Sequence, residues 1–100
     1  KPSLHYLRAM ILQGQGAIKA AEMSLTRTLF LDQNFVLAHF ALGHLTLQQG
    51  KTKAAGRHFA QASALAKSQP ADDILPESEG LTAGRLTDII ASLADRGQFL

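Results

Sequence analysis

QGAIKAA at residues 15–21 recurs thirty-four residues later as QGKTKAA at residues 49–55, with five of the seven positions identical. The same shift of 34 places aligns His5 with His39 and Leu31 with Leu65. Self-similarity at a fixed period of this length is the signature of a repeat architecture. The sequence therefore predicts two copies of one structural unit.

Each copy has the pattern of two amphipathic helices separated by glycine. In the first copy, the apolar stripes before and after Gly16 are Leu4, Leu7, Ile11, Leu12, and then Ile18, Ala21, Leu25, Thr28 and Leu29. In the second copy, the stripes before and after Gly50 are Ala38, Leu42, Leu45, and then Ala55, Phe59, Ala62 and Leu65. We expect these stripes to face the core and each glycine to supply the left-handed residue that ends a helix. Small Ala21 and Ala55 should let the paired helices approach closely.

The repeat pattern stops at residue 68. Residues 68–81 form an acidic, Pro- and Gly-containing linker, interpreted as a solvated connector, with Asp72, Asp73, Glu77 and Glu79. Thr82 can cap a last helix over residues 82–96, which Gly97 would end. Its apolar stripe is Leu86, Ile89, Ile90 and Leu93. Because two repeats bury little surface, we expect this helix to cap the array.

Composition excludes several classes of protein. The chain has 100 residues, 46% hydrophobic and 18% charged, which is typical of a folded domain, and no cysteine for disulfides or thiolate zinc sites. Its apolar runs are far shorter than the roughly 20 residues of a membrane-spanning helix, so we expect no membrane insertion and a cytoplasmic location. Residues 1–67 carry a net charge of +6 and residues 68–100 a net charge of −4. The basic part is too sparse to predict a nucleic-acid site.

No catalytic or metal-binding arrangement emerges from the sequence. The acids cluster in the linker, whereas all four histidines lie in the repeats. His39 and His44 are five residues apart and do not share a helix face. His5 and His39 occupy equivalent repeat positions, which favours packing or groove lining, and His58 is expected at the surface. We therefore predict no catalytic, cofactor or metal residue in this chain.

The period and its small residues resemble the tetratricopeptide (TPR) repeat. The match is carried by Ala9, Gly16, Ala21 and Leu25 in the first repeat (about 2–35) and by Leu42, Gly43, Gly50, Ala55, Phe59 and Ala62 in the second (about 36–69). The departures are Gln33 in place of the consensus Pro, His5 and His39 where Trp is favoured, and Thr46 for a large aromatic residue. The resemblance implies an all-α fold, with two TPR helix-turn-helix repeats in residues 1–67, the acidic linker and a C-terminal capping helix.

In the TPR family, ligands bind the concave surface lined by the first helix of each repeat. By that resemblance, the candidate groove consists of Tyr6, Met10, Gln13, Leu37, Phe40, His44 and Gln48. Phe40 and Tyr6 are the expected anchors, because aromatic side chains offer large contact area at low entropic cost. The alternative is that Phe40 and Met10 pack on the terminal helix. Arg85 is a secondary candidate, either solvated or in an ion pair or partner contact.

Two strings are more specific than the generic repeat. FVLAHFALG at residues 35–43 and LPESEGLTAGRL at residues 75–86 resemble the C-terminal TPR extension of CheR-type chemoreceptor methyltransferases, including the WspC-like branch of surface-sensing and biofilm pathways. The resemblance implies a parent enzyme that methylates receptor glutamates from S-adenosylmethionine in an upstream catalytic domain. The chain itself would be a non-catalytic protein-interaction module that recruits or regulates the enzyme.

The implied partner is a chemoreceptor, another signalling protein or the enzyme's own catalytic domain. The alternative is a structural module that self-associates as a homo-oligomer, or docks onto the catalytic domain, through apolar surface that a two-repeat array leaves exposed.

Overall fold

The protein is a chain of five α-helices, as the computed structural model describes it over residues 1–99. They are α1 (Pro2–Gly14), α2 (Ile18–Leu31), α3 (Val36–Gln48), α4 (Thr52–Lys67) and α5 (Ala83–Asp95). The prediction of an all-α fold is confirmed for this range, in which the β pairing is an isolated antiparallel bridge between Ile74 and Thr82. None of the five helices is long and apolar enough to cross a membrane.

The turns after α1 and α3 have the same geometry. Gly16 and Gly50 both have a φ of +78°, in the left-handed region that glycine enters without a Cβ penalty. In both turns the amide after the glycine donates to the carbonyl five residues earlier, at 2.9 Å and 3.0 Å. This bonding pattern is the Schellman motif. The predicted helix ends at these two glycines are confirmed, and Gly97, with a φ of +70°, ends α5 in the same way.

The helices pack in chain order. α1 and α2 form one antiparallel hairpin, and α3 and α4 form a second. α3 also packs against α2, and α5 packs against α4. α5 thus packs on the second helix of the second hairpin, as α3 packs on the second helix of the first. The radius of gyration of 12.6 Å is that of a compact domain of this length.

The core lies where small residues let the helices of a hairpin meet. Ala9, Ala21 and Ala55 are fully buried, as the small-residue pattern predicted. Gly43 lies directly beneath the ring of Phe59, and a Cβ there would stand 2.7 Å from Phe59 Cε1. The predicted stripe of the second helix of each hairpin is mostly buried, with Leu25 and Phe59 at equivalent positions and both fully buried. Its partly buried members are Ile18, Leu29 and Leu65.

The predicted core stripe of α1 is wrong in part. Leu4 and Ile11 are each 63% exposed and Leu7 is 42% exposed, whereas α1 buries Tyr6 and Ala9. The reason is that α1 packs mainly on α2, so only one side of it is covered. The apolar residues on the other side were assigned to the core because helical spacing alone does not say which face meets a neighbour.

The segment after α4 is an ordered loop whose two ends are joined by backbone hydrogen bonds. The amide of Leu75 donates to the carbonyl of Leu81 at 2.9 Å, and the amide of Gly84 donates to the carbonyl of Ala71 at 2.9 Å. Leu75 is almost fully buried. The acidic composition predicts a solvated connector, and the four carboxylates are exposed. The buried Leu75 in addition attaches the loop to the core.

The predicted start of the last helix is confirmed. The hydroxyl of Thr82 accepts a hydrogen bond from the backbone amide of Arg85 at 3.2 Å, which caps the N-terminus of α5. Leu86 and Ile90 are buried, and Ile89 and Leu93 are half-buried.

Candidate functional site

The seven candidate groove residues lie on α1 and α3 at helical spacing. Tyr6, Met10 and Gln13 belong to α1, and Leu37, Phe40, His44 and Gln48 belong to α3. Residues at such spacing share one side of their helix. The repeat places Tyr6 opposite Phe40 and Met10 opposite His44 in the alignment of the two hairpins.

Tyr6 is part of the core. Its ring lies against Phe35, with centroids 5.1 Å apart, and holds the start of α3 to α1. Burial raises the pKa of Tyr6, and the carboxylate of Glu77 in the ordered loop adds to the increase. The phenol is therefore neutral at physiological pH, and the side chain offers a ligand little of its surface.

Phe40 and His44 belong to an aromatic cluster around Phe59. The ring of Phe40 is edge-on to His44 at 4.7 Å and to Phe59 at 5.5 Å, and His44 is edge-on to Phe59 at 5.6 Å. Phe99, beyond the end of α5, lies against Phe59 with centroids 4.8 Å apart. Phe40 thus contacts Phe59 of α4, and Phe99, after the end of α5, reaches the same cluster.

His44 is a neutral component of this cluster. It is half-buried, and that burial lowers its pKa below the ordinary 6.5. An imidazole among aromatic rings that stays uncharged near pH 7 offers a polar edge without the cost of burying a charge.

The rest of the candidate groove differs in exposure. Leu37 is buried in the core, Met10 and Gln13 are half-buried, and Gln48 is exposed. A ligand approaching this side of α1 and α3 would meet mainly Met10, Gln13, Phe40, His44 and Gln48. Such a surface is apolar at its centre and carries amide groups at its edge.

Arg85 is exposed in the first turn of α5, and its side chain lines a shallow cleft with Asp88 and Ile89. The cleft is on the outer side of α5, with Arg96 at its other end. Arg85 is therefore not part of the candidate groove on α1 and α3.

The histidines outside the groove have structural environments. The Nε2–H of His39 donates to the carbonyl of Gln33 at 2.9 Å, which ties α3 to the loop before it. His58 was expected at the surface but is half-buried. Burial, followed by the nearby charges of His39 and Arg57, lowers the pKa of His58, while Glu22 opposes the decrease. Over residues 1–99, no three His, Asp or Glu side chains are grouped so that they could hold a metal ion.

Sequence reasoning did not locate the apolar surface that is exposed on the first hairpin. Leu4, Leu7 and Ile11 on α1 and Met23 on α2 are exposed, and Phe30 at the end of α2 is 86% exposed. The first three had been assigned to the core. The signal that distinguishes them is Arg8 among them, at the position that Leu42 occupies in the second hairpin.

Comparison of this chain with protein-family models, with curated proteins and with solved structures finds no match.

Proposed function

We propose that the chain is a non-catalytic TPR protein-interaction module of a CheR-type chemoreceptor methyltransferase, where it recruits or regulates the enzyme in bacterial chemotaxis or surface sensing. The observation that carries the proposal is the correspondence of the two hairpins at 34 residues. Their first helices end in the same Schellman turn, and α5 packs on α4 as α3 packs on α2. Two TPR repeats followed by a capping helix would give this arrangement.

The string at residues 75–86 supports the narrower part of the proposal. In LPESEGLTAGRL, Leu75 is buried, the hydroxyl of Ser78 accepts from the amide of Leu81 at 3.0 Å, and Thr82 caps α5. Glu77 and Glu79 adopt left-handed backbone angles, with φ of +61° and +56°. The residues that set this string apart from a generic repeat therefore build one specific loop, as expected of a family-specific element.

The surface of Met10, Phe40 and His44 suits a helical partner. Its centre is apolar and uncharged, with Gln13 and Gln48 at the margin to hydrogen-bond polar groups. An amphipathic helix lays its apolar face into such a surface and keeps its polar residues at the rim. The cytoplasmic part of a chemoreceptor, which the resemblance identifies as substrate, consists of helices of this kind.

S-adenosylmethionine would bind in the catalytic domain of the parent enzyme. Residues 1–99 do not fit it: the Gly14–Gly16 turn ends a helix and follows no strand, unlike the strand-to-helix turn of nucleotide sites. The activity proposed for this module is therefore binding alone.

Binding of the chain to the cytoplasmic domain of the receptor, measured by calorimetry, tests the proposal. We expect Phe40→Ala to weaken binding by about tenfold or more, because anchoring aromatic residues contribute about 2 kcal/mol or more at interfaces. Phe30→Ala is the control, since Phe30 is a phenylalanine of α2, outside the seven groove residues, and is 86% exposed.

A second variant separates binding from folding. Phe40 contacts Phe59 in the aromatic cluster, so its replacement also removes packing. Gln48 is exposed, and Gln48→Arg should leave the fold intact while placing a charge at the groove margin. Unchanged affinity in both folded variants would contradict the proposed groove.

A further inference from the structure

We propose that the first hairpin has a second binding site, the α1 face, which takes an acidic amphipathic helix of a partner protein. The α1 face consists of Leu4, Leu7, Arg8 and Ile11, with Arg27 of α2 beside them. The four α1 residues are spaced i, i+3, i+4 and i+7 and so lie on one side of the helix. All four are exposed. This inference goes beyond the function proposed above and does not depend on the family.

The equivalent residues of the second hairpin show what kind of contact this face can make. The residues 34 places later are Ala38, Ala41, Leu42 and Leu45, and all four are buried. α3 packs against α2 as well as α4, whereas α1 packs mainly on α2, so α2 is the neighbour of α3 that has no counterpart at α1. The α1 face is therefore the counterpart of a surface that binds a helix elsewhere in the same molecule.

The helix that occupies the equivalent surface carries a carboxylate. Glu22 of α2 accepts a hydrogen bond from Gln49 Nε2 at 2.7 Å, and its charge acts on the half-buried His58. An apolar helix side with a carboxylate at its margin is thus the kind of partner that this repeat geometry accepts.

The charge of the α1 face is specific to the first hairpin. Arg8 replaces the buried Leu42, and Arg27 lines the same cleft between α1 and α2, next to Leu12 and Met23. A guanidinium covered by an apolar helix would lose its hydration without compensation. A carboxylate on the incoming helix compensates by forming charge-assisted hydrogen bonds with the guanidinium. The partner must therefore present acidic residues beside its apolar stripe.

The helix surfaces of a second copy supply that chemistry poorly, and its exposed carboxylates lie mainly in the loop between α4 and α5. Two α1 faces in a symmetric dimer would bring Arg8 and Arg27 against their own copies. The outer cleft of α5, the other end of the array, carries Arg85 and Arg96 with one carboxylate, Asp88. Like charges would meet in both of these arrangements, which favours a helix from another protein over a second copy.

The test uses two synthetic helical peptides of about 16 residues, long enough to approach stable helicity. One carries a leucine stripe flanked by glutamates, and the other is identical except that lysines replace the glutamates. Fluorescence anisotropy with the full chain should show at least about tenfold tighter binding of the glutamate peptide, since each tenfold step needs only about 1.4 kcal/mol from two charge-assisted pairs. That preference should shrink at high salt, which screens the arginines.

Substitutions in the α1 face locate the binding. The double variant Arg8→Glu with Arg27→Glu should reverse the preference in favour of the lysine peptide, and Ile11→Ser should weaken both peptides. Ile74→Ser is matched to Ile11→Ser, since the two isoleucines are 64% and 63% exposed. Lys53→Glu is the charge control, because Lys53 is exposed in the first turn of α4. Both controls should bind like the unmodified chain.

Three results would overturn the proposal. They are absence of saturable binding by the glutamate peptide, equal affinity for the two peptides, and equal losses in the control variants. Light scattering adds a fourth: a dimer that forms in the unmodified chain and is lost in Ile11→Ser would assign the α1 face to a second copy instead.

Discussion

The two hairpins have the same turns but very different surroundings. α1 and α3 both end in a Schellman turn at a glycine with a φ of +78°. Yet α1 buries two residues, whereas α3 buries eight. α1 packs mainly on α2, and α3 is held between α2 and α4. Local sequence therefore determines where each helix ends, while the neighbours determine which of its side chains are buried.

The largest expected difference between the hairpins is at Leu45 and its equivalent, Ile11. Leu45→Ala should lower the free energy of unfolding by about 2–5 kcal/mol, because it leaves a cavity in the core. Ile11→Ala should change it by less than about 0.5 kcal/mol, since Ile11 is 63% exposed and Leu45 is fully buried. Urea denaturation of both variants measures the difference, and equal losses would contradict the assigned burial.

Gly43 and its equivalent, Ala9, provide the next test. A methyl group at Gly43 would meet the Phe59 ring at 2.7 Å, and that ring is held by Phe40, His44 and Phe99. Gly43→Ala should therefore destabilise the fold by about 1–3 kcal/mol through overpacking. Leucine at position 59 would leave room for the added methyl group. The double variant Gly43→Ala with Phe59→Leu should therefore lose less stability than the two single variants together, as thermal unfolding would show. Strict additivity would mean that the two residues do not compete for space.

The two turn glycines should behave alike. Gly16→Ala and Gly50→Ala should each cost about 1 kcal/mol, because alanine is strained at positive φ. No side chain crowds either position, so the cost is set by the backbone alone. Chemical denaturation should give the two variants the same loss within error. A clear difference would show that the turns are not equivalent despite their common geometry.

Acid should affect the second hairpin more than the first. Burial lowers the pKa of His44 and of His58 below 6.5. The unfolded chain then binds more protons than the folded chain, so stability is complete above pH 6.5 and falls as the pH drops below it. The equivalents in the first hairpin, Met10 and Ser24, do not titrate.

Replacing the two histidines with their first-hairpin equivalents isolates their contribution to the acid dependence of stability, the smallest of the expected effects. His44→Met with His58→Ser should flatten the decrease in denaturation midpoint below pH 6.5. An unaltered acid profile in the double variant would assign the loss of stability to other groups.

The helices and the glycine-terminated helix ends could be predicted from the sequence. The 34-residue period reveals the repeated pair of helices, and the glycine at each turn ends a helix through its own backbone conformation. The exposure of Leu4, Leu7 and Ile11 could not, since it depends on whether another helix covers α1. The apolar spacing was read as a core stripe, and only Arg8 in the middle of it indicated otherwise.

The candidate site was predictable in position but not in exposure. The spacing placed the seven groove residues on one side each of α1 and α3, but it did not show that Tyr6 would pack on Phe35 from the following loop. The linker predicted at residues 68–81 joins α4 and α5 with its acidic side chains exposed. Its composition did not reveal that one apolar residue, Leu75, attaches it to the core.

The most direct test of the proposed function is receptor methylation from labelled S-adenosylmethionine, measured for the parent enzyme with and without residues 1–100. The truncated enzyme must remain folded and bind the cofactor for the comparison to hold. A module that recruits or regulates the enzyme predicts a clear change in receptor methylation on its removal: a loss if it recruits or activates the enzyme, and a gain if it inhibits it. Methylation at an unchanged rate would contradict the proposal.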